Sequence, residues 1–488
     1  MKRVLNKRAF KGLLAALLVS VMIIPVAIAD SHTSLVSKSI NVDSGVNLSL
    51  DGLPYKPLNT TGQLADLFIY NGTTYLPARA LSEALGVDIA WRGDSATVAI
   101  GRDEAADAAK YLSHYFGLGD LGQTVTWSSF NNALDAIGAS AVEGKVDAAL
   151  VPMPQAVKAI VQAAQMDELA LTYPADKTAA ALRAYRVTGI SADYAPYVAT
   201  ALDTGLLPRS VELSGTLDGK TASVLLMNAA DAIGNGRYYL GYTSDSDIYA
   251  KVIGAWNSFT LLDEEALDEI GRGVVEEKAT TGYLLTYSGY NPRFLPQYTI
   301  VYDHSNIKHA NQLIGLLASE GITARVALQP KKSVYEYNLA WGPIRPPTPT
   351  YRVEEVAEDF YLANTVGYML TFEFLSAADK AAFDPILVEF AKKSGDNVDA
   401  IGVIAGSYWQ PQYSSKTPMP ADGRDGYVRL DDVSVTSSGY MLNTFILPEL
   451  TDTLVDAIED INDELTVEVN DVWANAAFNR FLTGEARD

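Results

Sequence analysis

The spacing of apolar residues changes character along this chain. Leu67 to Tyr70 and Thr73 to Leu76 alternate like two short strands around Asn71-Gly72, two residues that tolerate positive φ and make the strongest short hairpin signal. Pro77 follows and suits a first helical turn, where its missing N–H costs nothing. Ala80, Leu81, Ala84 and Leu85 then recur at helical spacing, and Gly86 ends the run. Val87 to Trp91 and Thr97 to Ile100 form a second hairpin across Arg92-Gly93-Asp94-Ser95. The pattern predicts a small ββαββ unit over 40–101.

From 105 to 270 the period becomes helical. "QAVKAIVQAAQMDEL", "APYVATALDTGLL" and "KTASVLLMNAADAIG" carry Ala, Val, Ile and Leu at three- and four-residue intervals. Residues 275–340 return to an α+β pattern, with a strand over 298–302, a helix over 309–319 closed by Gly321, and a strand over 322–328. "WGPIRPPTPT" (341–350) reads as a stiff proline-rich linker. Beyond it, the pattern predicts strands over 367–374, 400–408, 428–436, 440–447 and 465–472. Helices are predicted over 377–393 and 450–461. The expected fold class is therefore α+β and multidomain. It comprises the small N-terminal unit, a helical middle, an α+β segment, the linker, and a ferredoxin-like sandwich over 351–488.

One stretch carries a specific resemblance. "NGTTYLPARALSEALGVDIAWRGDSATVAIG" is similar to the copper amine oxidase-like N-terminal domain, through Pro77, Arg79, Glu83, Leu85-Gly86 and Trp91. The resemblance implies a stalk that is a non-catalytic appendage, with neither copper nor a quinone cofactor. Trp91 is expected to be buried against Leu81 and Leu85. The helices between 195 and 233 in part resemble an S-layer homology repeat. At the place where that family grips wall polymer with Thr-Arg-Ala-Glu, this chain has Lys220-Thr221-Ala222-Ser223, which leaves Lys220 as the candidate wall contact.

The N-terminus changes the compartment. Lys2, Arg3, Lys7, Arg8 and Lys11 precede an apolar run from Leu13 to Ile24, and Ala27-Ile28-Ala29 supplies a small-x-small cleavage pattern. Residues 1–29 are expected to be a signal peptide. The chain has 488 residues and a net charge of −22, and loss of those five basic residues would leave it more acidic. Such a surface repels nucleic acid and anionic lipid. There is no cysteine, which excludes disulfides, thiolate metal sites and catalytic thiols. Together these features suit a protein secreted by a Gram-positive bacterium and not inserted in the membrane after cleavage.

Few constellations point to chemistry. The four histidines are His32, His114, His304 and His309, and the last two lie five apart, a spacing that does not stack them on one helix face. No Asn-Tyr step is present from which a copper amine oxidase would build its quinone, and no Gly-x-Ser-x-Gly elbow is present. "GTLDGKT" (215–221) is one residue short of a phosphate loop and reads as a turn entering a helix. "DGRDG" (422–426) with Asp431-Asp432 offers carboxylates for a calcium loop but lacks the alternation and closing Glu of one, which favours a solvated turn, and Arg92-Gly93-Asp94 reads as a turn. Aromatic loops around Tyr408, Trp409 and Tyr413, and "GYNPRF" (289–294), have side chains that stack on sugar rings or fill interfaces.

The sequence thus leads to a secreted, non-catalytic scaffold of the cell envelope, without cofactor, whose partners are wall polymer or other envelope proteins. Two alternatives stay open: an extracellular hydrolase of wall polymer or polysaccharide, and a glycan- or solute-binding module.

Overall fold

Asn71 and Gly72 both have positive φ, 48° and 72°, and join β4 (Phe68–Tyr70) to β5 (Thr73–Tyr75) in the tight hairpin that the pair predicts. This is a computed structural model. It describes residues 37–50, 52–59, 61–85, 87, 89–92, 97–392, 401–405, 412–419 and 426–483. The expected signal peptide, Gly86, Gly93-Asp94, Tyr408, Trp409 and the 422–425 loop lie outside the described residues. The chain divides into two compact units, Met1–Arg102 and Asp103–Asp488.

In the first unit, β1 (Asp43–Ser44), β4 and β5 make a three-stranded sheet, and β2 (Leu48–Leu50) pairs with β3 (Leu53–Tyr55). Helix α1 (Ala78–Ala84) follows β5; the Pro77 carbonyl accepts from Leu81 N at 3.1 Å, so Pro77 opens the helix as expected. Ala80 is its buried anchor, and the Tyr55 hydroxyl donates to the Ala80 carbonyl at 3.1 Å. Strands β6 (Ile89–Arg92) and β7 (Thr97–Ile100) form a separate hairpin. That separation corrects one expectation. Trp91 is 51% exposed and pairs across the hairpin with Val98, also exposed, while Leu85 is 58% exposed. A two-stranded ribbon that joins no sheet leaves both of its faces with little to cover them, so Trp91 does not build a core with the helix.

The second unit begins with helices α2 (Glu104–Phe116), α3 (Trp127–Ala136), α4 (Met153–Ala163), α5 (Asp167–Leu171), α6 (Ala175–Ala184), α7 (Ala195–Asp203) and α8 (Gly219–Ala232). They enclose one core that includes Tyr111, Trp127, Phe130, Ile160 and Leu225. Thr126 and Ser129 form a capping box at α3, and Asp218 caps α8 through Thr221 N at 3.0 Å. A Cβ on Gly219 would fall 2.3 Å from the Gly122 carbonyl oxygen. Close backbone packing therefore explains that glycine, in agreement with reading 215–221 as a helix entry.

The rest of the unit is a barrel. Its strands are β9 (Gly282–Tyr287), β10 (Thr299–His304), β11 (Ala324–Glu336), β13 (Phe360–Phe374), β16 (Gln412–Ser415), β17 (Tyr427–Ser437), β18 (Tyr440–Ile446) and β19 (Val467–Asn475). The order β13-β10-β16-β19-β17-β18-β9-β11 closes on itself through the β11–β13 ladder, which runs from Ala324↔Phe374 to Glu336↔Leu362. Short β8 (Gly241–Tyr242) and β12 (Tyr351–Ala357) are added at β11 and β13, and β14 (Ala391–Lys392) pairs with β15 (Ile404–Ala405) apart from the ring. Helices α9 (Ile248–Asn257), α11 (Ile307–Ser319) and α12 (Ala377–Phe390) cover one outer face over Tyr302, Leu328 and Phe372. Helices α10 (Glu265–Glu276) and α13 (Thr451–Ile461) cover another over Leu285, Val334 and Val433. The last helix, α14 (Ala476–Leu482), packs through Phe478 and Leu482 on Leu430, Val472 and Phe445.

This closed eight-strand barrel takes the place of the ferredoxin-like sandwich expected over 351–488. The ring draws β9, β10 and β11 from 275–340, because pairing β16 with β19 and β11 with β13 satisfies edges that an open sheet would expose. Residues 341–350, expected to separate domains, are a connection inside this unit: Leu261 N donates to Pro349 O and Val366 N to Thr350 O. Helices α9 and α10, expected within the helical middle, pack instead on the barrel.

Candidate functional site

Side chains alternate across a strand, so the residues next to the apolar outer positions point into the barrel. On β11, Val326, Leu328 and Val334 face the covering helices, which turns Arg325, Gln329 and Lys331 inward. The same parity places Asp303 of β10, Thr371 and Glu373 of β13, Gln412 of β16, Asp432 of β17 and Asn443 of β18 on the inner wall, and all are buried. An eight-strand barrel has room for its own side chains or one small ligand.

The middle of the lumen holds an ion pair, Lys331 Nζ to Asp303 Oδ1 at 3.1 Å. Lys331 stands opposite Gly367, where a Cβ would fall 3.0 Å from Lys331 Cε and from the His304 carbonyl oxygen. Gly367 thus gives the lysine stem its path. Asp303 pairs across strands with Gln412. Burial pushes the Asp303 carboxyl up, with Lys331 opposing. Burial also pushes Asp432 up; Lys416 and the Asn443 amide, which donates to it at 3.2 Å, pull the other way, and the charge of Asp303 adds to the rise. The Thr371 hydroxyl and Gln412 Nε2 have no hydrogen-bond partner among the described residues. The lumen therefore combines two acids that burial pushes up with unspent polar groups, a composition that suits a small polar molecule or ordered water.

One end of the lumen is tied to the helices by a buried charged network. Arg325 donates to Glu373 at 2.6 Å and to Asp107 of α2; the Tyr111 hydroxyl also donates to Glu373. Leu295 N donates to the other Glu373 oxygen at 2.8 Å. Arg237 bridges Asp107 at 3.0 Å and Asp231 at 2.8 Å. Outside the barrel, Lys380 of α12 is buried with no carboxylate partner among the described residues and donates to Ser415 Oγ and Thr417 Oγ1, both at 2.8 Å, and to Pro296 O at 3.3 Å; burial lowers its amine to about 8.

The residues singled out from sequence are scattered. Pro77 and Arg79 lie at the start of α1, Arg79 exposed; Glu83 is in that helix, and Gly86 falls outside the described residues. Lys220 is exposed in the first turn of α8. Tyr413 is no glycan contact. It is 4% exposed, stacks on Tyr302 at 5.3 Å and meets Phe383 edge-on, because its position on β16 faces α12. His304 and His309 do come together, with ring centroids 4.8 Å apart, one ending β10 and the other in α11, a geometry that helical spacing alone excludes from view. Among the described residues no third side chain joins them in a metal-binding group. Asp303, Lys331 and Gln412 are not singled out by the sequence, and Asp432 is singled out only with Asp431 beside the 422–426 loop. Arg325, Gln329 and Lys331 on one face of β11 are a visible signal for Lys331 alone.

Residues 60–109 match the copper amine oxidase N-terminal domain family. The match covers the hairpin, α1 and the second hairpin, and so agrees with the resemblance carried by Pro77 to Trp91. No match supports the S-layer likeness of the helical segment. No curated protein and no solved structure is matched by the chain. Among the described residues no helix is long and apolar enough to cross a membrane.

Proposed function

We propose that this is a secreted, non-catalytic protein of the bacterial cell envelope, in which the N-terminal unit is a stalk-like appendage and the helical and barrel elements form the body it carries. The observation that carries the reading is the match over 60–109, a domain whose resemblance implies an appendage and not a reaction centre. Retention at the cell would be non-covalent. Because the chain is strongly acidic and wall polymers are commonly anionic, divalent cations or a local basic contact such as Lys220 would have to bridge them.

A second reading, an extracellular hydrolase, is favoured by one specific observation: Asp303 and Asp432 share the lumen and are both raised above the usual carboxylate range. The same assay separates the two. The purified mature protein is expected to hold no stoichiometric copper, to leave amines unoxidised and to release no reducing ends from wall polysaccharide. One tightly held copper per chain with amine oxidation, or saccharide release abolished by Asp432→Asn, would overturn the non-catalytic reading.

A further inference from the structure

The turn after β9 carries an aromatic feature that neither reading uses. Tyr440, Tyr287, Tyr290 and Tyr238 follow one another with ring centroids 5.0, 5.9 and 6.0 Å apart, and Phe259 lies against Tyr290 at 6.5 Å. Tyr287 is 39% and Tyr238 38% exposed; Tyr290 and Tyr440 are half-buried, and Phe259 is buried beneath them. The four tyrosines come from three separate places in the chain, so the row is a product of the fold and not of local composition.

The row is also held in place. A Cβ on Gly289 would fall 2.3 Å from the Tyr287 ring, and one on Gly439, at φ +83°, 3.3 Å from its other edge. Two glycines therefore let that ring lie over backbone on both sides. Ser288 N and Oγ both donate to the Gly439 carbonyl, at 2.8 and 2.6 Å, and Tyr238 N donates to Pro292 O at 3.2 Å. Rings fixed before a ligand arrives lose little further entropy on binding.

We propose that this tyrosine ridge is a binding site for a neutral saccharide chain. Tyrosine offers an apolar face for the C–H surface of a sugar ring and a hydroxyl tip for its hydroxyl groups. Neighbouring rings are turned 52°, 74° and 68° from one another, so each offers its own face or edge to a successive sugar of a chain. The net charge of −22 disfavours an anionic polymer and leaves a neutral one unopposed. This inference does not depend on where the protein is retained, nor on whether the lumen is catalytic.

The test is calorimetric titration of the full mature chain with two neutral hexasaccharides, chitohexaose and cellohexaose. Saturable binding to at least one is expected, weakened tenfold or more by Tyr287→Ala with Tyr290→Ala and largely kept by Tyr287→Phe. Should the double variant unfold, Tyr238→Ala, at the end of the row, serves instead and is expected to weaken binding at least threefold. The proposal is overturned if neither saccharide binds, or if binding is indifferent to these substitutions. It is equally overturned if sedimentation shows the ridge buried between two copies, with Tyr287→Ala dissociating a dimer.

Discussion

Replacing Arg325 with methionine is expected to destabilise the second unit by about 3–5 kcal/mol, the cost of leaving buried charges without their partner. Glu373 is 2% exposed and receives Arg325, Tyr111 and Leu295 N; Asp107 receives both Arg325 and Arg237. Without the guanidinium, buried Glu373 would keep only the neutral donors Tyr111 and Leu295 N, while Asp107 would keep Arg237. Tyr111, Tyr239 and Tyr242 also surround the Arg325 head at 5.7, 5.6 and 5.5 Å, contacts that methionine keeps only in part. Urea denaturation of the purified chain gives the value. Adding Glu373→Gln should recover part of the loss, because it removes one stranded charge. A loss below about 1 kcal/mol for Arg325→Met would mean that the network is solvated and does not tie the helices to the barrel.

Mild acid should weaken the protein through His304. Burial first, then His309 and Lys331, depress His304 from 6.5 to about 4. The folded state thus resists a proton that the unfolded chain accepts below pH 6.5, so stability is full above that pH and falls as pH drops towards 4. Full linkage over that interval is about 3 kcal/mol. Solvent at a half-buried ring reduces it to on the order of 1–2 kcal/mol. His309, depressed in the same direction chiefly by burial, adds to the slope. Unfolding curves at pH 7, 5.5 and 4.5 should show this decline, and His304→Gln should flatten it. An unchanged slope in the variant would assign the acid sensitivity elsewhere.

What the sequence revealed and what it concealed divide along local and non-local lines. Asn71-Gly72, the helix ending at Ser319 and the strand pair near 428–447 were legible because each is set by nearby residues. The strand expected over 322–328 continues to Glu336, through Pro330. That proline stands between the β8 pairing at Arg325-Val326 and the β9 pairing that starts at Lys331, where its missing N–H breaks no ladder on that side. Barrel closure was not legible. It depends on pairing Ser414 with Ala474 and Ala324 with Phe374, partners 50 or more residues apart whose register no periodicity states. The lumen followed the same rule. Arg325, Gln329 and Lys331 on one face of β11 hinted at a polar wall, but the meeting of Asp432 with Asn443 required the fold. Trp91 erred in the opposite sense, because a large aromatic in a strand was expected to find a core that the isolated β6–β7 hairpin does not supply.

The body's construction also shapes how attachment can be examined. Removing 105–270 would strip α9 and the first half of α10 from the barrel and Tyr111 from Glu373, so point substitution at Lys220 is the interpretable change. The central claim is tested most directly by fractionating cells into cytosol, membrane, wall and medium and following the protein through a chelator and a high-salt wash. It is expected in the wall fraction and released by one or both washes. Recovery in the cytosol, or retention that survives both washes, would contradict a secreted protein held at the envelope by non-covalent contacts.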